Sequence, residues 1–62
     1  MKTRKKIAKR RRKLGLTQYK LADKVGYSRS AISNWETGAR PLFPEHIRAI
    51  ARALHTRPGA LS

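Results

Sequence analysis

Five residues in the middle of the chain carry side chains suited to reading a flat polar edge: Ser28, Arg29, Ser30, Ser33 and Asn34. They lie on the stretch from Ser28 to Thr37, where Ala31, Ile32 and Trp35 recur at helical spacing. With those three turned inward, Arg29, Ser30, Ser33, Asn34 and Thr37 face out. A guanidinium can place two parallel hydrogen bonds on O6 and N7 of guanine, and a side-chain amide can do the same on N6 and N7 of adenine. Short hydroxyls allow close approach, whereas a merely solvated helix face is more commonly Glu and Lys. Bond-making chemistry is poorly served. No histidine or carboxylate is placed to activate a serine. His46 and His55 stand nine residues apart with no third ligand nearby, so no metal site is expected. Recognition without catalysis and without a cofactor is the expectation.

The elements that must hold this face can be read on either side of it. Residues 1–5 read as a basic arm with nothing to bury, and residues 6–62 as a single domain. A first helix runs from there to Leu14, with Ile7, Arg11 and Leu14 on one side, and Gly15 ends it. Thr17 caps a second helix that buries Leu21, Ala22 and Val25. Gly26 stops that helix, and only Tyr27 separates it from Ser28, the cap of the third. Two helices can cross this tightly when a small residue sits at the contact and a glycine at the bend, here Ala22 and Gly26. Pro41 and Pro44 bracket a loop. Pro44 suits the first turn of a fourth helix, with Glu45 near its positive end. That helix runs to Ala53 or Leu54 and buries Ile47, Ile50, Ala51 and Leu54. After Pro58 there is room for one more turn. The expected fold is all-α, a compact bundle of four to five helices.

Charge narrows the partner. The 62 residues include 16 Lys and Arg against 3 Asp and Glu, for a net charge of +13. Nine of the basic residues precede Leu14. Such self-repulsion opposes compaction and is tolerable where the usual partner is a polyanion. With no cysteine, disulfides and thiolate zinc are excluded. No apolar run approaches the ~20 residues of a membrane span. No apolar run follows the basic start, as a secretory signal would need. A membrane-active peptide would require a wide apolar face, and Lys2 to Lys13 offers only Ile7 and Ala8. Exposed aromatics are too few for a single-strand stacking surface. A cytoplasmic protein that binds duplex DNA fits these limits.

The stretches GLTQYKLADKVGYSRSAISNWETG (Gly15–Gly38) and IRAIARAL (Ile47–Leu54) resemble the lambda-type repressor and Cro (XRE) family of helix-turn-helix proteins. The resemblance implies a lambda repressor-like bundle with the helix-turn-helix at helices 2 and 3. It implies base reading by Ser28, Arg29, Ser30 and Asn34, to which the outward face adds Ser33. It implies that Gln18 touches the DNA backbone and braces the reading helix. It also implies a homodimer on a palindromic operator. Arg11, Arg12, Lys13, Tyr19, Thr37 and Arg40 are further phosphate candidates.

Arg11 sits on the inward stripe, and an unpaired buried guanidinium costs several kcal/mol. Its partner must be Asp23, Glu36 or Glu45. Glu36 closes the third helix near where the first must pack, and the family pairs Arg with Glu at matching positions, so an Arg11–Glu36 salt bridge is expected. Leu42, Phe43 or Leu61 could be left over for a dimer contact. With no second domain for sensing or self-cleavage, a Cro-like phage or bacterial repressor is the leading expectation. An antitoxin that also binds a toxin protein is the alternative.

Overall fold

Hydroxyl caps, glycines and prolines divide the chain into helices. The computed structural model describes residues 2–61, which form α1 (Lys2–Lys13), α2 (Gln18–Val25), α3 (Arg29–Thr37), α4 (Pro44–Ala53) and α5 (Pro58–Leu61). Thr17 Oγ1 accepts from the Lys20 N–H at 3.0 Å and Ser28 Oγ from the Ala31 N–H at 3.1 Å, so each caps the helix after it. α4 opens on Pro44, whose missing N–H would have no intrahelical partner there. Its His46 Nδ1 accepts from the Phe43 N–H at 3.2 Å.

Gly26 makes the bend between α2 and α3. Its φ of 77° lies in the left-handed region, where any residue with a Cβ would lose about 1–2 kcal/mol. The N–H groups of Gly26 and Tyr27 both return to the Ala22 carbonyl, at 2.9 and 3.0 Å. This closes α2 and delivers the chain to the Ser28 cap within two residues.

Periodic apolar residues from every helix meet in one core. Ile7, Leu21, Ala22, Ala31, Ile32, Trp35, Ile50, Ala51, Leu54 and Leu61 are buried, and Leu16, Val25, Leu42, Ile47 and Ala53 pack against them. Trp35 is fully enclosed, and its Nε1–H donates to the Pro41 carbonyl at 3.1 Å. α3 packs on α1 and α2, while α5 bridges α4 and α1. The described chain measures 23 × 23 × 18 Å.

Three expectations change. The basic arm is helical from Lys2 onward: Thr3 is buried, and the Arg4 guanidinium bonds the carbonyls of Trp35 and Arg40. The C-terminal end of α3 carries negative partial charge, so an arginine gains by turning inward there. Met1, the first residue of that arm, lies outside the described residues, as does Ser62. Leu14 is exposed rather than part of the inward stripe. α1 ends before it, with Gly15 N–H bonded to the Arg12 carbonyl at 2.9 Å and Leu16 N–H to that of Arg11 at 3.0 Å. This paired helix ending folds Leu16 onto the core in its place. Leu61 is buried by the single turn of α5 and is no dimer contact, whereas Phe43 stays exposed.

Candidate nucleic-acid interface

The outward side of α3 begins at the cap. Ser28, Arg29, Ser30, Asn34 and Thr37 are exposed, and Ser33 is half-buried. Ser28 Oγ uses a lone pair in capping, which leaves its O–H able to donate. Thr37 Oγ1 donates to the Asn34 carbonyl at 3.4 Å. The inward residues Ala31, Ile32 and Trp35 are buried, so the helix cannot roll without opening the core.

A chain of polar side chains locks this helix to its neighbours. Arg11 Nε donates to Glu36 Oε2 at 2.7 Å and Nη2 to Oε1 at 3.1 Å, a two-pronged ion pair between α1 and the end of α3. Arg11 Nη1 donates to the Leu16 carbonyl at 2.8 Å. The two side chains are only 9% and 6% exposed. Glu36 Oε1 also accepts from Gln18 Nε2 at 3.0 Å, and Gln18 Oε1 accepts from Arg29 Nη1 at 3.2 Å. One continuous relay therefore runs from the inside of α1, through the end of α3 and the start of α2, to the guanidinium at the start of α3. Among the described residues no buried side-chain N or O atom lacks a partner.

This geometry sorts the expected phosphate residues. Arg11 is enclosed, and each of its three nitrogens donates within the chain, which is the geometry of a brace. The Gln18 amide is bonded on both ends, to Glu36 and to Arg29. Arg12 is exposed on α1. Tyr19 is 71% exposed and lines a small groove with Asp23, Tyr27 and Arg29 between α2 and α3. Arg40 lies in the loop after α3, its guanidinium carbon 5.7 Å from the Trp35 ring centre. Lys13 lines a groove against α5, on the side of α1 away from Arg11, since two residues turn a helix by about 200°. That placement takes Lys13 away from the outward side of α3.

Some positioning residues carry no readable signal in the sequence. Arg4 holds the end of α3, and Arg10 bonds the Leu54 and His55 carbonyls at 3.3 and 3.4 Å, closing the end of α4. Within the run of basic residues nothing separates these arginines from their solvated neighbours. Tyr27, Trp35 and His46 form an aromatic cluster behind α3, with the Tyr27 ring edge-on to Trp35 at 4.9 Å and the His46 ring tilted against Trp35 at 4.7 Å. The imidazole is thus a packing and capping group. Among the described residues no helix is long and apolar enough to cross a membrane.

No curated protein and no solved structure matches the chain. A model of the helix-turn-helix family does match, over residues 7–61, from the core residue of α1 to the end of α5. With its α2–turn–α3 unit and five-helix bundle, the chain belongs to the lambda-repressor-like (XRE) family of helix-turn-helix proteins, a family of DNA-binding transcription regulators.

Proposed function

We propose that the protein is a Cro-like repressor that binds a palindromic operator as a homodimer in the bacterial cytoplasm and regulates rather than catalyses. α3 enters the major groove, with Ser28, Arg29, Ser30 and Asn34 reading bases and Ser33 at the margin. Arg29 addresses guanine and Asn34 adenine, each by two parallel hydrogen bonds. Arg12, Tyr19, Thr37 and Arg40 meet phosphates, and Gln18 holds Arg29. The observation that carries this reading is the relay from Arg11 to Arg29, which fixes an exposed guanidinium at the end of the helix that enters a groove deepest. A side chain already held in place loses less freedom on binding.

The test is selection of bound duplexes from a random pool by the whole chain, followed by titration of the enriched sequence at several salt concentrations. Enrichment of an inverted repeat with a guanine in each half, bound by two chains, is expected. Enrichment of a single unrepeated element would remove the dimer, and no enrichment at all would remove base reading.

A further inference from the structure

The relay that begins at Arg11 ends at the first residue of α3. A second grip on α3 begins further up α1 and takes hold of its other end. Arg4 lies seven residues before Arg11, two helical turns and about 10 Å away on the same side of α1. Its Nη1 donates to the Trp35 carbonyl and, at 3.0 Å, to the Arg40 carbonyl. The first sits in the last turn of α3, where carbonyls outnumber the helix's own donors. The second belongs to the loop that follows. The Arg4 stem crosses over Gly38, where a φ of 91° turns the chain out of α3. One guanidinium thus clasps the end of α3 and its exit together.

The clasp bears on an exposed residue, Arg40. The Arg40 N–H donates to the Asn34 carbonyl at 3.2 Å, and the Arg40 carbonyl accepts from Arg4. The next carbonyl, that of Pro41, accepts from the Trp35 indole at 3.1 Å. With the backbone pinned on both sides, the Cα–Cβ bond of Arg40 has a fixed direction. Its guanidinium carbon lies 5.7 Å from the Trp35 ring centre. We propose that Arg4 is a positioning residue for duplex binding: it acts through the Arg40 backbone to hold the Arg40 guanidinium beside the end of α3, ready to meet a phosphate. This rests on the reading of Arg40 as a phosphate contact. A loop arginine left loose gives up its freedom when it binds, and one held beforehand gives up less. α1 therefore supports α3 at both ends, through Arg11, Glu36 and Gln18 toward its start and through Arg4 at its exit.

The test titrates the full chain with a duplex of arbitrary sequence at several salt concentrations, so that it does not depend on base reading. Arg40→Ala should lower the salt slope by about 0.9, the loss of one phosphate. Arg4→Met opens the clasp and should weaken binding about two- to tenfold, the cost of ordering one freed side chain. Lys5→Met, at an exposed neighbour, removes the same charge and sets the baseline. In an Arg40→Ala background Arg4→Met should cost no more than Lys5→Met, and its salt slope should match that variant's. In the free protein the Arg40 amide order parameter should fall from about 0.85 to below about 0.6 in Arg4→Met. Should Arg4→Met fail to fold, Arg4→Lys keeps the charge, shortens the reach to both carbonyls and should show the same coupling at smaller size. Equal losses with and without Arg40, or an Arg40 amide equally rigid in both chains, would overturn the proposal and leave Arg40 a phosphate contact. So would a further slope loss of about 0.9 for Arg4→Met, which would make Arg4 a phosphate contact itself. A slope unmoved by Arg40→Ala would overturn the phosphate reading of Arg40, and the proposal with it.

Discussion

α1 and α3 pack on each other, yet their outward sides differ in kind. α1 holds nine of the 16 basic residues, whereas α3 holds one, Arg29, among hydroxyls and an amide. The difference follows from range. Charge acts over a Debye length, about 10 Å at 0.1 M salt, so a cation that attracts a duplex need not be aimed. A hydrogen bond to a base edge acts at about 3 Å and fails when the donor swings away. Arg29 is accordingly tied back to the interior through Gln18 and Glu36. Within α1 the same division recurs: Arg4, Arg10 and Arg11 bond carbonyls or Glu36, and Lys5, Lys9 and Lys13 are exposed. Arginine's planar fork suits fixed partners, and lysine's flexible stem suits a diffuse role.

The sharpest way to break this contrast is Glu36→Ala. It strands the enclosed Arg11 guanidinium and should cost about 3–5 kcal/mol of stability in urea unfolding. The pair Arg11→Met with Glu36→Leu should recover most of that loss, because both buried charges then go together. A cost for Glu36→Ala near that of an exposed salt bridge would show the relay to be ornamental. Next in size, Arg29→Ala should weaken the selected operator by about 1–3 kcal/mol and relax preference at one base pair, with little change on unrelated duplex. Arg12→Ala should behave oppositely, weakening all duplexes alike and lowering the salt slope by about 0.9. If Arg29→Ala proved as indiscriminate as Arg12→Ala, the division between aimed and diffuse groups would fall.

Much of the bundle was legible because capping, glycine and apolar spacing act locally. Thr17, Ser28, Gly26 and Pro44 mark ends through their own chemistry, and Ala31, Ile32 and Trp35 define an inward stripe within ten residues. The misreadings lie where a partner comes from far along the chain. Arg4 turns inward because the end of α3, 31 residues on, offers a carbonyl. Leu61 is core because α1 passes beside α5, which no periodicity in so short a turn can announce. Leu14 and Leu16 are equally apolar, and only the folded-back ending of α1 decides which is covered. At the reading face the sequence marked the residue types, but not that Gln18 joins Glu36 to Arg29. That link depends on the starts of α2 and α3 being brought together by the bend at Gly26.

Gln18→Ala offers the finest test of the comparison, because two readings of that residue predict different patterns at similar size. As the holder of Arg29, it acts through another side chain. Its loss should then cost about 0.5–1.5 kcal/mol on the operator, the price of immobilising a free arginine on binding, and nothing on unrelated DNA. In an Arg29→Ala background it should cost no more, so the double-mutant cycle should show a coupling energy equal to the single effect. Stability should shift little, because Glu36 keeps both bonds to Arg11. A direct phosphate contact would instead weaken every duplex and add to Arg29→Ala without coupling. Additivity would therefore place Gln18 among the diffuse contacts and detach the reading face from the interior that is argued to aim it.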